Sequence, residues 1–397
     1  MNLADSEEMF AHLAARGYIR TDELDQADAV LINTCTVRDH AEHKAVSFLG
    51  RLAAWKRENP ARRIIFTGCA AQRLGTALKK QYPFLDILSG AKDIEHFSDT
   101  LDQSGLFPPQ TLSAPQLTPG LTGYVTIMRG CNFACTYCIV PSVRGAVKCL
   151  SHEQILEEVR RKAAAGAKEI MLLGQTVNAY QDGAVSFADL LNKASEIDGV
   201  VRVGFTSPHP IYFTPQFLHA VKDNPKIARH IHLPAQSGST KVLQEMKRGY
   251  TREILLDKIK ALQAEGFVIS TDLIVGFPTE TETDFNDTLT LVQQAGFITA
   301  YCYKYSPRQG TPAAQMKLLP QEILEQRLDI LLNKVRGLAQ AAYQAQVGST
   351  QQVLFETPTK GRSSGSFWVK SRREYSVGQV VELPIEKAVG TLLIARD

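Results

Sequence analysis

"YVTIMRGCNFACTYCIVPSVRG", Tyr124–Gly145, decides the fold. The first residues read as a β-strand. The strand breaks at Gly130 into a loop that places Cys131, Cys135 and Cys138 within eight residues. Three thiols so close together mark a metal centre, and both tetrahedral zinc and a cubic iron–sulfur cluster want four ligands. A strand that ends in such a loop is the first unit of a β/α barrel, whose chemistry sits on loops at the strands' C-terminal ends.

Outward from this unit, strand and helix patterns alternate to about Pro320. They make about six β/α units in about 200 residues, short of the roughly 250 that a full eight-fold barrel takes. The expectation is a partial (β/α)6 barrel, followed by one long helix opened by Pro320. From Val347 the character changes to short strands divided by Gly, Ser and Pro, "QQVLFE", "SFWVKS", "QVVELPIEKA" and "GTLLIA", which predict a small β-barrel. Upstream, "DSEEMFAHLAARGY" reads as a helix capped by Asp5 and Ser6. "ADAVLINTC", "RRIIFTGCA" and "LDILSG" read as strands between helices, a doubly wound, mostly parallel α/β unit. "SGLFPPQTLSAPQLTPGLTG" has four prolines and no period, so it reads as a linker. The expected division is 1–103, a linker at 104–123, 124–345 and 346–397.

Composition narrows the function. The chain has 397 residues, 44% hydrophobic and 21% charged, with a net charge of only +3. Any contact with nucleic acid must therefore be a local patch. No apolar run approaches the ~18 residues of a membrane span, and no secretory pattern opens the chain. The expected compartment is the cytoplasm. Seven cysteines, an odd number, argue against a disulfide framework and for metal or redox chemistry.

Three readings of the triplet compete for the fourth ligand. A zinc site would recruit His152 or Cys149, but zinc motifs come as two separated pairs rather than C-x3-C-x2-C. An all-cysteine cluster completed by Cys149 would make an electron carrier, an odd use of a concave barrel site. A three-thiolate [4Fe–4S] cluster would keep one iron open for a substrate or cofactor.

The third reading carries a resemblance. C-x3-C-x2-C with Tyr137 before the last cysteine resembles the radical S-adenosylmethionine (SAM) superfamily, in which SAM supplies the fourth ligand. "INTCTVRDHAEHK", "TGCAAQR", "LLGQTVNAY", "FTSPHP", "HLPAQSGS", "MKRGYTRE", "STDLIVGFPTETETDF" and "YSPRQGTPAA" extend the similarity to the methylthiotransferases, as far as about Met316. The C-terminal barrel resembles that family's TRAM domain, in a short form. The branch it is most similar to places a methylthio group on C2 of N6-isopentenyladenosine beside the tRNA anticodon. Its rivals act on N6-threonylcarbamoyladenosine in tRNA or on an aspartate of a ribosomal protein.

The resemblance implies residue roles. Cys131, Cys135 and Cys138 would hold the radical cluster. Gly174 and Gln175 stand where the superfamily binds the SAM amino group. Asn178, Ser207, His209, Gln236 and Asp272, with Tyr137, are candidates for SAM or substrate contact, and Ile274–Pro278 for packing under the adenine. Cys35 and Cys69 match two of three cysteines that hold the family's second, auxiliary [4Fe–4S] cluster. The third belongs to "GCQMN…DSE", whereas this chain starts "MNLADSE", so that ligand and the strand before it are not in the sequence. The expectation is a clipped or misassigned start, or a short form that binds RNA or cleaves SAM without transferring sulfur. Cys149 and Cys302 are poor substitutes by position.

Lys360, Arg362, Trp368, Lys370, Arg372 and Arg373 form an acid-free basic stretch with aromatics, suited to RNA phosphates and bases as well as to a solvated loop. Expected partners are a tRNA anticodon loop, a reductase such as flavodoxin or ferredoxin, and a sulfur or cluster donor. The expected state is a monomer.

Overall fold

The computed structural model describes residues 1–37, 39–108 and 120–396, and nothing of the side chain at 39. The linker expected at 104–123 falls largely outside these residues. The chain forms two compact units. Unit 1 is Met1–Thr118 with Arg129–Phe133 and Cys138–Val147; unit 2 is Pro119–Met128, Ala134–Tyr137 and Lys148–Asp397. The cysteine loop is thus shared out between them.

In unit 1, α1 (Asn2–Ala14), β1 (Ala29–Thr34), α2 (Asp39–Glu58), β2 (Arg63–Gly68), α3 (Cys69–Gln81), β3 (Ile87–Gly90) and α4 (Phe97–Ser104) follow in order, with α5 (Val140–Arg144) added from the cysteine loop. The strands make a parallel sheet in the order β1-β2-β3. Central β2 faces both ways, as a doubly wound sheet requires. Ile64 and Phe66 pack with Leu49, Leu52, Trp55 and Leu78 of α2 and α3. Ile65 packs on the other face with Met9, Leu13, Phe97 and Leu101 of α1 and α4.

One expectation here is corrected. Asp5 and Ser6 do not cap α1, which starts at Asn2 with Met1 at its N-cap and no side-chain cap bond. Asp5 is 0% exposed and ion-paired with Arg129 and Arg144. Two buried guanidinium groups hold the carboxylate more strongly than a helix terminus does.

Unit 2 contains β4 (Thr122–Thr126) and the two-residue β5 (Met128–Arg129, whose Arg129 belongs to unit 1) and β6 (Lys148–Cys149). It continues through α6 (His152–Ala164), β7 (Glu169–Leu173), β8 (Gln181–Asp182), β9 (Val185–Ser186), α7 (Phe187–Ser195), β10 (Arg202–Phe205), α8 (Pro215–Val221) and β11 (His230–His232). Then come α9 (Thr240–Glu245), α10 (Arg252–Ala264), β12 (Val268–Val275), α11 (Glu282–Ala295), β13 (Thr299–Lys304) and α12 (Gln321–Gln344). Parallel sheets β10-β7-β4 and β11-β12-β13 are linked by a parallel bridge between Val203 and Ile227. The result is the partial six-unit barrel. Pro320 stands at the N-cap of α12, and the far end of that helix sends Tyr343 into the core of the last barrel.

That barrel is closed, in the order β14 (Thr350–Thr357), β15 (Lys360–Ser363), β16 (Trp368–Lys370), β18 (Leu392–Ala395) and β17 (Val380–Val389). The sequence reading put no strand at Lys360–Ser363, because Lys-Gly-Arg-Ser lacks β-formers. Gly361 explains why a strand fits there: a Cβ would lie 2.3 Å from Leu354 O, so only glycine lets β15 pair this closely with β14. Among the described residues no helix is long and apolar enough to cross a membrane.

Candidate active site

The cysteine loop is closed at its neck within unit 1. Gly130 has φ +77°, and a Cβ there would lie 2.0 Å from Ala146 O. Cys131 N donates to Gly145 O at 3.1 Å, and Val147 N donates to Asn132 Oδ1 at 2.9 Å. The arginines at the two ends of the loop share one carboxylate. Arg129 Nη1 reaches Asp5 Oδ1 at 2.6 Å, and Arg144 Nη2 reaches Asp5 Oδ2 at 2.8 Å.

The loop's middle belongs to unit 2. Thr136 N donates to Met246 O at 3.2 Å, and Ala313 N donates to Thr136 O at 2.9 Å. Tyr137 packs against Val242, Met246, Phe277, Tyr305 and Ala313. Cys135 is buried, and Arg248 Nη1 donates to its sulfur at 3.5 Å. The same guanidinium holds Tyr250 Oη and Pro234 O, at 3.1 and 3.2 Å.

The other candidates lie at or near strand ends of unit 2. Gly174 follows β7, where a Cβ would lie 2.4 Å from Met128 Cγ. Next to it, Gln175 Oε1 is buried with no donor among the described residues. Ser207 and Gln236 have φ of 59° and 73°, left-handed conformations that cost a non-glycine residue energy and cluster at working sites. The Asn178 amide is spent on backbone: its Nδ2 donates to His209 O at 2.9 Å, and its Oδ1 accepts from His209 N at 2.8 Å. Burial, and then the Arg248 charge, pushes the His209 imidazole down to about 3. Within the sheet, His230 Nε2 and His232 Nδ1 both meet Ser270 Oγ, at 2.8 and 2.9 Å, and His232 Nε2 lies 3.1 Å from Asp272 Oδ2. In Ile274–Pro278, Gly276 N donates to Glu280 Oε1 at 2.9 Å, and Glu280 pairs with Arg327.

In unit 1, Cys35 follows β1, and Cys69 is the first residue of α3 after β2. Val37 N donates to Cys35 Sγ at 3.2 Å. Arg144 Nε donates to Cys69 Sγ at 3.3 Å. Burial pushes the Cys69 thiol up, and the Arg144 charge works against that rise. Arg73 of α3 reaches Thr36 Oγ1 at 3.1 Å and Glu42 Oε2 at 3.0 Å, which ties the loop after β1 to the helix that starts at Cys69.

This donor set fits iron–sulfur clusters: thiols in short loops, with buried arginine N–H groups on two of the sulfurs. It does not favour the zinc alternative. His152 Nδ1 is 2.8 Å from Asp182 Oδ2 and its Nε2 is 3.1 Å from Glu153, so this imidazole already has its partners. Cys302 lies inside β13, where burial, and then Asp272, raises its thiol to about 11.

Comparison with known proteins agrees. Residues 125–292 match the model of the radical SAM superfamily, and residues 1–90 match that of uncharacterized protein family UPF0004. The tRNA-2-methylthio-N(6)-dimethylallyladenosine synthase of Sorangium cellulosum is 36% identical over 98% of this chain and 89% of its own length. The synthase of Clostridium botulinum (strain Loch Maree) is 38% identical over 98% and 92%. That of Desulfosudis oleivorans is 40% identical over 92% and 82%. The chain belongs to this synthase family. Among solved structures, the radical SAM methyltransferase TsrM of Kitasatospora setae, with cobalamin and a [4Fe-4S] cluster bound, covers 72% of this chain and 65% of its own. Its TM-score is 0.54 at 13% identity, a likeness of fold alone.

Within this radical SAM methylthiotransferase, the basic C-terminal stretch divides. Arg362 does not project as an RNA contact. Its Nη2 holds Glu169 Oε2 at 3.0 Å and its Nε pairs with Glu356, while Arg202 Nη2 donates to Arg362 O at 3.2 Å. Arg362 therefore seats β15 on the first residues of β7 and β10. Lys360 Nζ stands 4.1 Å over the Trp368 ring, and Phe367 is core. Lys370, Arg372 and Arg373 are exposed. The sequence reading missed Arg129, Arg144 and Arg248. Arg248 was legible only as a basic residue in "MKRGYTRE", with nothing local to point at Cys135.

Proposed function

We propose that this chain is a tRNA methylthiotransferase that adds a methylthio group to C2 of N6-isopentenyladenosine beside the anticodon by radical SAM chemistry. The observation that carries this is the cysteine loop, closed at Gly130 and Gly145 and supported by buried arginines, in a chain 36–40% identical to such synthases over nearly its full length. Bound here, a [4Fe–4S] cluster and SAM would supply one-electron reductive cleavage and a carbon-centred radical that removes hydrogen from an unactivated carbon.

In this reading Cys131, Cys135 and Cys138 hold the radical cluster, and Cys35 and Cys69 contribute to the auxiliary site. Gln175 Oε1, a buried acceptor in need of a donor, receives the SAM amino group beside Gly174. Ser207 and Gln236, held in left-handed backbone, and Tyr137 would contact SAM or the base, and Ile274–Pro278 would pack under the adenine. Asn178 acts by fixing the His209 backbone. Asp272 and His232 offer polar contacts to the base. Lys370, Arg372 and Arg373 meet tRNA phosphates, with Trp368 beside them. The functional divisions are 1–103, 124–345 and 346–397. The protein works in the cytoplasm as a monomer, with a flavodoxin- or ferredoxin-like reductase and a sulfur or cluster donor.

The test is iron and acid-labile sulfide per chain after anaerobic reconstitution, with nucleoside mass spectrometry of isopentenylated tRNA incubated with SAM and reductant. The Cys131/Cys135/Cys138→Ala variant should lose about four irons and all SAM cleavage. Full iron in that variant, or SAM cleavage with no methylthio nucleoside, would refute the reading.

A further inference from the structure

Most arginines buried in this protein face a carboxylate. Arg129 and Arg144 share Asp5, Arg202 faces Glu169, and Arg327 faces Glu280. Arg248 is 7% exposed and has no carboxylate partner among the described residues. Its five N–H donors meet the Tyr250 hydroxyl, the Pro234 carbonyl and the Cys135 sulfur. A buried guanidinium without an anion is costly, because burial removes the water that would stabilise its charge. The sulfur it reaches is that of Cys135, which as a cluster ligand would carry negative charge.

The framework holds this cation in place. Tyr250 Oη, which accepts from Arg248 Nε, itself donates to Pro234 O and Ala235 O, at 3.2 and 3.0 Å. Ala235 precedes Gln236, whose left-handed backbone is pinned by its N–H to Asp272 O at 2.8 Å. The Tyr250 ring also packs edge-on against His209 at 5.4 Å. The guanidinium cannot follow a charge outward.

We propose that Arg248 is the resident counter-cation of the radical cluster, a positioning residue that raises the cluster's reduction potential through its hydrogen bond to Cys135. The inference rests on the reading that Cys135 is a cluster ligand. A fixed positive charge and an N–H···S bond both favour the form with one more electron, and hydrogen bonds to the sulfurs are a recognised control of cluster potential. This links the cluster's charge to the loop Pro234–Gln236 by way of one side chain.

The test uses the full chain carrying Cys35→Ala and Cys69→Ala, so that only the radical cluster is reconstituted. Its midpoint potential is read by EPR during a mediated reductive titration, for the parent, Arg248→Lys and Arg248→Met. The parent should bind about four irons. Arg248→Met should shift the midpoint to more negative potential, and Arg248→Lys, which keeps the charge, should fall between. Equal midpoints in the parent and Arg248→Met, at equal iron and sulfide content, overturn the inference. So does iron loss in Arg248→Lys as well as Arg248→Met, because shape rather than charge would then be what the site needs. A parent that binds no iron refutes the cluster assignment itself, which separates the two failures.

Discussion

Arg144 joins two parts of the candidate machinery: its Nε donates to Cys69 Sγ at 3.3 Å while its Nη2 holds Asp5 Oδ2 at 2.8 Å. The arginine ends α5, on the loop that carries Cys131 and Cys138, and Cys69 starts α3. One guanidinium thus fixes the neck of one cysteine site against a thiol of the other.

Asp5→Asn removes the shared carboxylate: Arg129 keeps Glu8 at 2.6 Å, and the buried Arg144 loses its carboxylate partner. Breaking a buried ion pair from one side costs about 3–5 kcal/mol. Trp55 lies in α2 of unit 1, so its fluorescence in a Trp368→Phe background reports that unit alone. Urea unfolding followed this way should show a markedly lower midpoint for Asp5→Asn. Coincident curves would mean that the Asp5 charge is dispensable.

The fold was largely legible because its signals are local. The strands of the three parallel sheets are mostly short apolar runs, and Cys35, Cys69 and the triplet stand just after such runs. What stayed hidden depends on partners far along the chain. Asp5 matched a helix cap, but its arginines lie 124 and 139 residues away. Arg362 matched an RNA-binding residue, yet it closes on Glu169, 193 residues earlier. A charge in a sequence does not disclose whether water or a buried counter-ion will receive it.

Histidine burial gives a pH dependence with a definite sign. Burial, and secondarily Arg248, lowers His209 to about 3, while burial, then His232 and Arg362, lowers His230 to about 4. In the unfolded chain each takes up a proton near pH 6.5. Below that pH the unfolded form binds protons that the native form refuses, so stability is complete above pH 6.5 and falls as pH drops toward 4. For His209 the loss approaches about 1.4 kcal/mol per pH unit. His209→Asn should flatten the fall of the unfolding midpoint between pH 6.5 and 4.5. An unchanged slope would mean that His209 is protonated in the native state.

Gly130→Ala tests the neck of the cysteine loop. Its φ of +77° strains any other residue, and the new Cβ would meet the Ala146 carbonyl at 2.0 Å, a backbone atom that cannot swing aside. Gly183→Ala is the control: its φ is also positive, at +55°, but nothing lies within 4 Å of the added carbon. After reconstitution Gly130→Ala should lose about four irons per chain, and Gly183→Ala should keep them. Equal iron in both would show that the loop tolerates an open neck.

The last prediction separates two kinds of basic residue in the C-terminal barrel. Arg362→Met leaves Glu169, 3% exposed at its side chain, with Arg202 at 3.5 Å as its remaining ion-pair partner. It should lower the thermal midpoint, at a cost of about 2–3 kcal/mol, a little below that of a fully buried pair because Arg362 keeps some contact with water. At temperatures where it is folded, its affinity for tRNA should be unchanged. Lys370→Gln and Arg373→Gln, at exposed positions, should do the reverse. Each should leave the melt alone, weaken tRNA binding, and reduce the slope of log affinity against log salt by about one. Melts together with binding measured at several salt concentrations decide the matter. Loss of binding without loss of stability in Arg362→Met would return that residue to the RNA surface.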